Sequence, residues 1–179
     1  KSEVRFRNWE NFHFWFRGVE KFAPWINKVH FVTWGHTPSW LNINHPKLNI
    51  VKHEDFIPKE YLPTFNTRTI ELNFHRINGL AEEYVVFNDD VFLIDKVTPE
   101  MFFVDGKPCD MPVIKPLDLS EYSKAILNDL IVINRNFDLK KQILKDKRKW
   151  FNHNYGKYNF SNLFFFYLFQ SYHFSFKNF

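Results

Sequence analysis

The sequence contains very little cysteine, and this scarcity narrows the classes of protein to which it can belong. Its single cysteine, Cys109, cannot form a disulfide within the chain, so a reduced, cytoplasmic setting is the expectation. Nothing beside Cys109 in the stretch from Lys107 to Asp110 supplies the base that a cysteine nucleophile needs. Cysteine catalysis is therefore not predicted.

Long apolar runs are also missing. The longest run, Leu163–Phe169, is far shorter than the ~20 residues that a membrane-spanning helix needs, and the first residues lack the apolar stretch of a signal peptide. The sequence has no histidine and cysteine pattern with zinc-ligand spacing, no GxGxxG segment and no P-loop. These absences exclude membrane-spanning, zinc, dinucleotide-binding and P-loop proteins from the prediction.

The 179 residues that are present suit one domain with a sizeable core. The formal net charge is only +4, and the basic residues cluster in residues 140–149, so nucleic acid binding is not expected from charge. This basic run and the aromatic residues after it have three interpretations. They are a solvated helix face followed by core aromatics, a peripheral contact with an anionic inner membrane face, or an RNA site built on stacking.

Helical and strand-like segments alternate along the chain, which is the pattern of an α/β sheet with helices packed on it. Apolar residues in the first segment recur at three- and four-residue spacing, and the pattern stops near Pro24. The predicted elements are a helix at Phe12–Phe22, strands at Lys28–Thr33 and Leu48–Val51, a helix at Asn66–Arg76 and a strand at Tyr84–Phe87.

An acidic motif, Asn88-Asp89-Asp90, follows the last predicted strand directly. Ligands of open α/β sheets bind outside the carboxyl ends of the strands, so these residues are expected to face a site. Two adjacent carboxylates favour a hard divalent cation, which Asn88 assists with an amide oxygen or an oriented water. The alternative is a turn in which Asn and Asp only cap local backbone.

Several segments occur in order between Arg5 and Leu93 at a consistent spacing: KFAPWI, PSWLN, HED, LPTFN, HRINGL and NDDVF. In this order they resemble the second conserved region of the Stealth family, which contains bacterial capsular-polysaccharide phosphotransferases and the animal lysosomal-enzyme N-acetylglucosamine-1-phosphotransferase. The chain departs from the family at Gly18, where serine is usual, and at His36, where glutamine is usual. Arg17 is retained.

The resemblance implies an α/β nucleotide-diphosphosugar transferase fold of the glycosyltransferase-A kind. The fold is expected to be incomplete, because the family's further upstream and downstream conserved regions are not in this sequence. Residues 1–115 are then a catalytic-core segment, and residues 116–179 are a helical, basic and aromatic-rich linking segment of the same domain.

The resemblance also implies the chemistry and the residues that perform it. Asp89 and Asp90, with Asn88, would hold Mg²⁺ or Mn²⁺ while a hexose-1-phosphate, for example N-acetylglucosamine-1-phosphate, moves from a UDP-sugar to a saccharide hydroxyl in capsular or cell-surface polysaccharide synthesis. Arg17 and Arg76 would clamp the diphosphate, since a guanidinium presents paired donors to phosphate oxygens. Their alternative is a role as surface or helix-packing arginines.

Other candidates have local explanations that are at least as well supported as a functional role, and for His53 the local explanation is favoured. Glu71 and His75 are four residues apart on a predicted helix and can share a face, which makes His75 a catalytic candidate and Glu71 a substrate-binding one. His53 follows a strand, where it can act as a general base or be bonded to nearby backbone or carboxylate. Thr64 and Asn66 either bind substrate or cap the helix that follows.

Gly35, in the turn after the first predicted strand, is also assigned to substrate binding. Three function classes remain open: a phosphotransferase that releases UMP, an ordinary metal-dependent glycosyltransferase that releases UDP, and a non-catalytic fragment that binds a sugar nucleotide. The expected partners are a nucleotide-sugar donor and a saccharide acceptor.

Overall fold

The computed structural model describes residues 10–110, 112–114 and 123–171. These residues form two compact units that divide between Cys109 and Asp110, whereas the sequence predicts a division at residues 115 and 116. Both helices and strands are present, as the predicted α/β class requires. The helices of the first unit are α1 (Phe12–Phe22), α2 (His53–Phe56) and α3 (Thr67–Leu72), and its strands are β1 (Val29–Thr33), β2 (Leu48–Lys52), β3 (Phe103–Val104) and β4 (Lys107–Pro108).

The central element of the first unit is a parallel pair of strands. β1 and β2 run in register from Val29 opposite Leu48 to Thr33 opposite Lys52, and both strands confirm the sequence prediction. Branched residues at Val29, Val32 and Val51 favour this extended conformation. Parallel strands need a crossover connection, and the chain between β1 and β2 supplies it.

Helices and turns cover both faces of this pair. On one face, the Phe31 ring of β1 lies 5.4 Å from the Phe12 ring and 5.7 Å from the Phe16 ring of α1, between ring centroids. On the other face, Val32 packs against a buried apolar cluster. The cluster consists of Val51, Phe56, Ile57 and Ile77. Helix α1 has the predicted bounds, and its apolar spacing explains why it packs here.

The second predicted helix is shorter than expected. α3 ends at Leu72, and a separate 3₁₀ turn follows at Phe74–Arg76. Asn73 lies at the break, where its side-chain amide donates to the Thr69 carbonyl at 2.8 Å. The prediction of one continuous helix over Asn66–Arg76 is therefore wrong, because Asn competes for backbone hydrogen bonds at this position.

The predicted strand at Tyr84–Phe87 is also wrong. The segment belongs to no ladder among the residues that the structure describes, and Tyr84, Val85 and Val86 are 42%, 40% and 50% exposed. Three consecutive exposed residues mean that both sides of the segment are open. An apolar composition predicted the strand, but a strand also needs a hydrogen-bonded neighbour, which the described residues do not supply.

The second unit contains helices, connected by short turns. They are α4 (Ser123–Asn136), α5 (Leu139–Lys145), α6 (Lys147–Trp150) and α7 (Lys157–Ser171). Asn162 of α7 is fully buried and hydrogen-bonds three backbone groups, at Pro112, Ile114 and Trp150. In the described part of the chain, no helix has the length and apolar character needed to cross a bilayer.

Candidate functional site

A cavity of about 1580 Å³ lies in the first unit, beside β1 and at its carboxyl end. All five residues of β1 border it, as do residues 84–89. Ligand-binding clefts usually have volumes of about 300–1,000 Å³, so this cavity is larger than one ligand requires. Its position agrees with the rule that ligands of open α/β sheets bind at strand carboxyl ends.

The turn after β1 is held by one hydroxyl group. The Thr33 hydroxyl accepts from the Gly35 amide at 2.9 Å and donates to the His36 carbonyl at 2.7 Å. Gly35 has φ of +122°, a conformation that residues with a side chain rarely adopt. Gly35 therefore shapes the turn but does not border the cavity itself, whereas its neighbours Trp34 and His36 do.

The acidic motif forms an exposed turn next to this cavity. Residues 89 and 90 are in the turn, and the Val91 amide donates to the Asn88 carbonyl at 3.2 Å. Asn88 and Asp89 border the cavity, whereas Asp90 does not. No third histidine, cysteine or acidic residue joins Asp89 and Asp90 within the described residues. Two carboxylates are nevertheless a donor set that fits a cation whose other ligands are substrate phosphates and water.

Packing against α1 positions the segment that carries the motif. The Phe87 ring lies 6.1 Å from the Trp15 ring on one side of the motif. On the other side, the Leu93 carbonyl approaches Gly18 so closely that a Cβ added there would lie 2.9 Å from its oxygen. Gly18, which the sequence presents only as a departure from the family pattern, therefore permits a close backbone contact.

The remaining predicted site residues lie away from the cavity lining. Arg17 is exposed on α1, and Glu71, His75 and Arg76 are exposed around the end of α3. Because α3 ends at Leu72, Glu71 and His75 do not share one helical face. Their roles, and those of Arg17 and Arg76, stay predictions.

Thr64 and Asn66 have local backbone partners. The Asn66 side chain accepts from the Arg68 amide at 3.0 Å and caps α3. The Thr64 hydroxyl accepts from the Asn66 amide at 3.2 Å. The helix-cap interpretation of Asn66 is therefore confirmed, and Thr64 supports the turn before the cap.

His53 contributes more to the candidate site than its sequence context indicated. It borders the cavity, and its ring lies 5.5 Å from that of Trp34 and 6.4 Å from that of Phe56, edge to face. Its Nδ1 is buried and has no hydrogen-bond partner among the described residues, which overturns the interpretation of a histidine bonded to nearby groups at that nitrogen. Burial lowers the pKa of His53, so the neutral ring is favoured. A neutral ring with an unpaired nitrogen can accept a proton or a hydrogen bond.

In the second unit, the basic side chains of residues 140–149 are exposed. Lys141 and Lys149 form exposed ion pairs with Asp138 and Asp146, at 3.9 and 3.5 Å. Exposed pairs of this kind contribute little to stability. The run is therefore a positively charged surface.

Comparison with known proteins assigns the family. Residues 5–110 match the family model for conserved region 2 of the Stealth proteins. The chain belongs to the Stealth family. The family resemblance that the sequence motifs indicate is thus confirmed over more than half of the chain.

Several known proteins are similar to this chain along most of its length. A capsular polysaccharide phosphotransferase WcwK of Streptococcus pneumoniae is 48% identical over 164 residues, which are 91% of this chain and 50% of the relative. A capsular polysaccharide phosphotransferase eps5J of Streptococcus thermophilus is 47% identical over 88% of this chain and 67% of its own length. An exopolysaccharide phosphotransferase cps2G of Lactiplantibacillus plantarum is 41% identical over 88% and 48%. The chain spans about half the length of the first relative.

Proposed function

We propose that this Stealth protein transfers a hexose-1-phosphate, such as N-acetylglucosamine-1-phosphate, from a UDP-sugar to a saccharide hydroxyl in capsular or cell-surface polysaccharide synthesis. The fold proposed for the complete protein is of the glycosyltransferase-A kind. The observation that carries the proposal is the position of Asn88 and Asp89 at the cavity beside the carboxyl end of β1. The names of the relatives, which are polysaccharide phosphotransferases, support it.

In the proposed reaction, the acceptor hydroxyl oxygen attacks the sugar-proximal phosphorus of the donor. A new phosphorus–oxygen bond forms as the bond from this phosphorus to the bridging oxygen breaks, and UMP leaves with that oxygen. The hydroxyl proton needs an acceptor, and the candidate is His53, which borders the same cavity and whose Nδ1 has no hydrogen-bond partner among the described residues. A lowered pKa keeps His53 ready to accept that proton near neutral pH.

Asp89 and Asp90, with the amide oxygen of Asn88, are the proposed holders of Mg²⁺ or Mn²⁺. When bound, the cation would supply positive charge to the phosphate oxygens and the leaving group. Without a cation, the two carboxylates would repel a diphosphate. The approach of a diphosphate on this side of the cavity would therefore depend on the bound cation. Of the two aspartates, Asp89 is proposed to have the more direct role because it borders the cavity, whereas Asp90 does not.

Product analysis tests the reaction. The chain would be assayed with UDP-N-acetylglucosamine, a saccharide acceptor and Mn²⁺ or Mg²⁺, both alone and as a chimera in which it replaces the matching part of the S. pneumoniae WcwK relative. Release of UMP supports the proposal. Release of UDP identifies an ordinary glycosyltransferase, and donor binding without either product identifies a binding fragment.

The acidic motif is tested by separate Asp89→Asn and Asp90→Asn substitutions in the same chimera. Each is expected to lower metal-dependent UMP release by at least about 100-fold, because one carboxylate of the pair is lost. Asp95→Asn is the matched control, since Asp95 is exposed on the same segment and does not border the cavity. Full activity in both variants would refute the assignment.

A further inference from the structure

Two exposed aromatic side chains lie side by side next to the cavity, and we call this pair the aromatic platform. Trp34 follows β1 and is 54% exposed, and Phe65 precedes α3 and is 91% exposed. Their ring centroids are 6.2 Å apart, and the ring planes are inclined by 31°. Single exposed aromatic residues are common on protein surfaces, but adjacent ones at the edge of a cavity form an apolar patch that marks a binding site.

Local hydrogen bonds hold the backbone that carries each ring of the platform. A threonine hydroxyl before each ring accepts from the amide of the residue after it: Thr33 spans Trp34 in this way at 2.9 Å, and Thr64 spans Phe65 at 3.2 Å. Neither ring belongs to the buried apolar cluster of this unit. Both rings are therefore presented to solvent on fixed backbone, which lowers the entropy cost of binding a ligand.

The spacing of the two rings favours a ligand that lies across them. Carbon atoms in contact are about 3.5–4 Å apart, so a ring inserted between two aromatic rings needs roughly 7–8 Å between them. The 6.2 Å between Trp34 and Phe65 is too short for insertion. A pyranose ring that presents a face of C–H groups can stack across both, because these groups meet the negative faces of the aromatic rings. The hydroxyls at the edge of the sugar then remain free for polar partners.

The charges beside Trp34 favour a neutral ligand over an anionic one. Lys52 lies next to the same turn, since a Cβ at Gly35 would be 3.9 Å from the Lys52 side chain. The Lys52 ammonium is 3.5 Å from a Glu54 carboxylate oxygen, and an Asp55 carboxylate accepts from the Lys52 amide at 2.7 Å. Two carboxylates outnumber the lysine, so this side of the site does not attract a diphosphate. The exposed Lys52 and Glu54 side chains can instead hydrogen-bond sugar hydroxyls.

His53 connects the aromatic platform to the proposed reaction. Its ring meets the Trp34 ring edge to face at 5.5 Å between centroids, and both residues border the cavity. In phosphoryl transfer the attacking and leaving oxygens lie roughly in line on opposite sides of the phosphorus. Because His53 is the proposed acceptor of the hydroxyl proton, the groups beside it contact the saccharide acceptor, and UMP leaves on the other side.

We propose that Trp34 and Phe65 bind a neutral pyranose ring of the saccharide acceptor and direct one of its hydroxyls to His53. This inference rests on the proposed function and identifies the surface that selects the acceptor. The alternative occupant, the uracil of the donor, would have to lie on the side of the phosphorus from which the acceptor attacks.

Saturation-transfer NMR on the chain alone tests the platform without any donor. The probes are the methyl pyranosides of glucose, galactose, mannose, rhamnose and N-acetylglucosamine. At least one should bind, with the strongest transfer to the C–H protons of one ring face. Trp34→Ala and Phe65→Ala should each weaken its binding by at least about 10-fold, whereas Trp34→Phe, which keeps an aromatic face, should weaken it by less than about 3-fold. Phe14→Ala is the matched control, since Phe14 is 58% exposed in the same unit and does not border the cavity.

Acceptor kinetics in the WcwK chimera provide a second readout. Trp34→Ala should raise the KM for the saccharide acceptor by at least about 10-fold and leave the KM for UDP-N-acetylglucosamine within about 2-fold. Both rings are exposed, so the variants should keep the Tm of the parent chain within a few degrees, which separates lost binding from lost folding.

The proposal would be overturned if none of the five glycosides bound the chain, or if binding were unchanged in Trp34→Ala and Phe65→Ala. Loss of UDP binding in Trp34→Ala, without an effect on any glycoside, would overturn it in favour of the donor base. Release of UDP by the chimera, or an inactive chimera, counts against the proposed phosphotransfer. Glycoside binding decides the role of the platform in either case, because it is measured without turnover.

Discussion

Replacement of Asn162 by alanine should strongly destabilise the second unit. The Asn162 side chain accepts from the Ile114 amide at 2.7 Å and donates to the carbonyls of Pro112 at 2.8 Å and Trp150 at 2.7 Å. It thereby joins α7 to the end of α6 and to the segment at residues 112–114. Its exposed fraction is 0%, so in the native fold these three backbone groups depend on the Asn162 side chain and not on bulk water.

The magnitude follows from the three bonds. Each contributes about 1 kcal/mol, and the backbone groups left unpaired raise the expected loss to about 3–5 kcal/mol. A unit of this size has a total stability of roughly 4–10 kcal/mol at the usual value per residue. The Asn162→Ala substitution should therefore remove a third or more of that stability.

Urea unfolding, followed by hydrogen exchange in α7 and by circular dichroism, measures the effect. Asn162→Asp separates the two halves of the interaction, because it keeps an acceptor for the Ile114 amide but turns a second oxygen toward two carbonyls. It should be at least as destabilising as alanine near neutral pH. Asn136→Ala is the control, since its single bond to the Val132 carbonyl at 3.0 Å is exposed. A loss below about 1 kcal/mol for Asn162→Ala, similar to that of Asn136→Ala, would contradict the reasoning.

Three further predictions concern charge and protonation. His53→Gln should lower kcat for UMP release by about 100-fold with little change in KM, because a proton acceptor is lost, and His153→Gln should leave both constants unchanged. Stability should fall as the pH drops below about 6.5, because burial and then Lys28 lower the pKa of His30 in the folded chain, so the unfolded chain takes up the proton first. His30→Asn should make this fall in Tm smaller but should not remove it, because burial lowers the pKa of His53 as well. The basic run at residues 140–149 should bind vesicles that contain anionic lipid, by roughly 1 kcal/mol per basic residue, and Lys147→Glu should weaken co-sedimentation. Sedimentation at the level of neutral vesicles would remove the membrane contact.

The elements that could be predicted from the sequence are those specified by local pattern. Helix α1 and strands β1 and β2 have an apolar periodicity or branched residues, and their bounds agree with the prediction within a residue or so. The break in the helix at Asn73 was missed because one hydrogen bond from a side chain to the Thr69 carbonyl decides it. The partners of Asn162 were equally hidden, since two of them are 48 and 50 residues away in sequence.

The site could be predicted only in part, because local sequence patterns do not show which distant segments the fold brings together. The acidic motif follows an apolar segment, and Asn88 and Asp89 indeed border the cavity. Trp34 and the unpaired nitrogen of His53 were not identified, because only the fold brings the turn after β1 next to the start of α2. The i, i+4 spacing of Glu71 and His75 predicts a shared face only if both residues lie on one helix, and α3 ends between them.

Asp89 borders the cavity even though residues 84–87, which were predicted to form the strand before it, belong to no ladder among the described residues. The position of Asp89 beside the cavity therefore does not require this segment to form a strand. Contacts of α1 hold the segment at both ends of the motif, through Trp15 with Phe87 and through Gly18 with the Leu93 carbonyl. These contacts are enough to place Asp89, although Val85 and Val86 belong to no ladder among the residues that the structure describes. The precision of the proposed cation site is therefore expected to depend on these two contacts with α1 as well as on the carboxylates themselves.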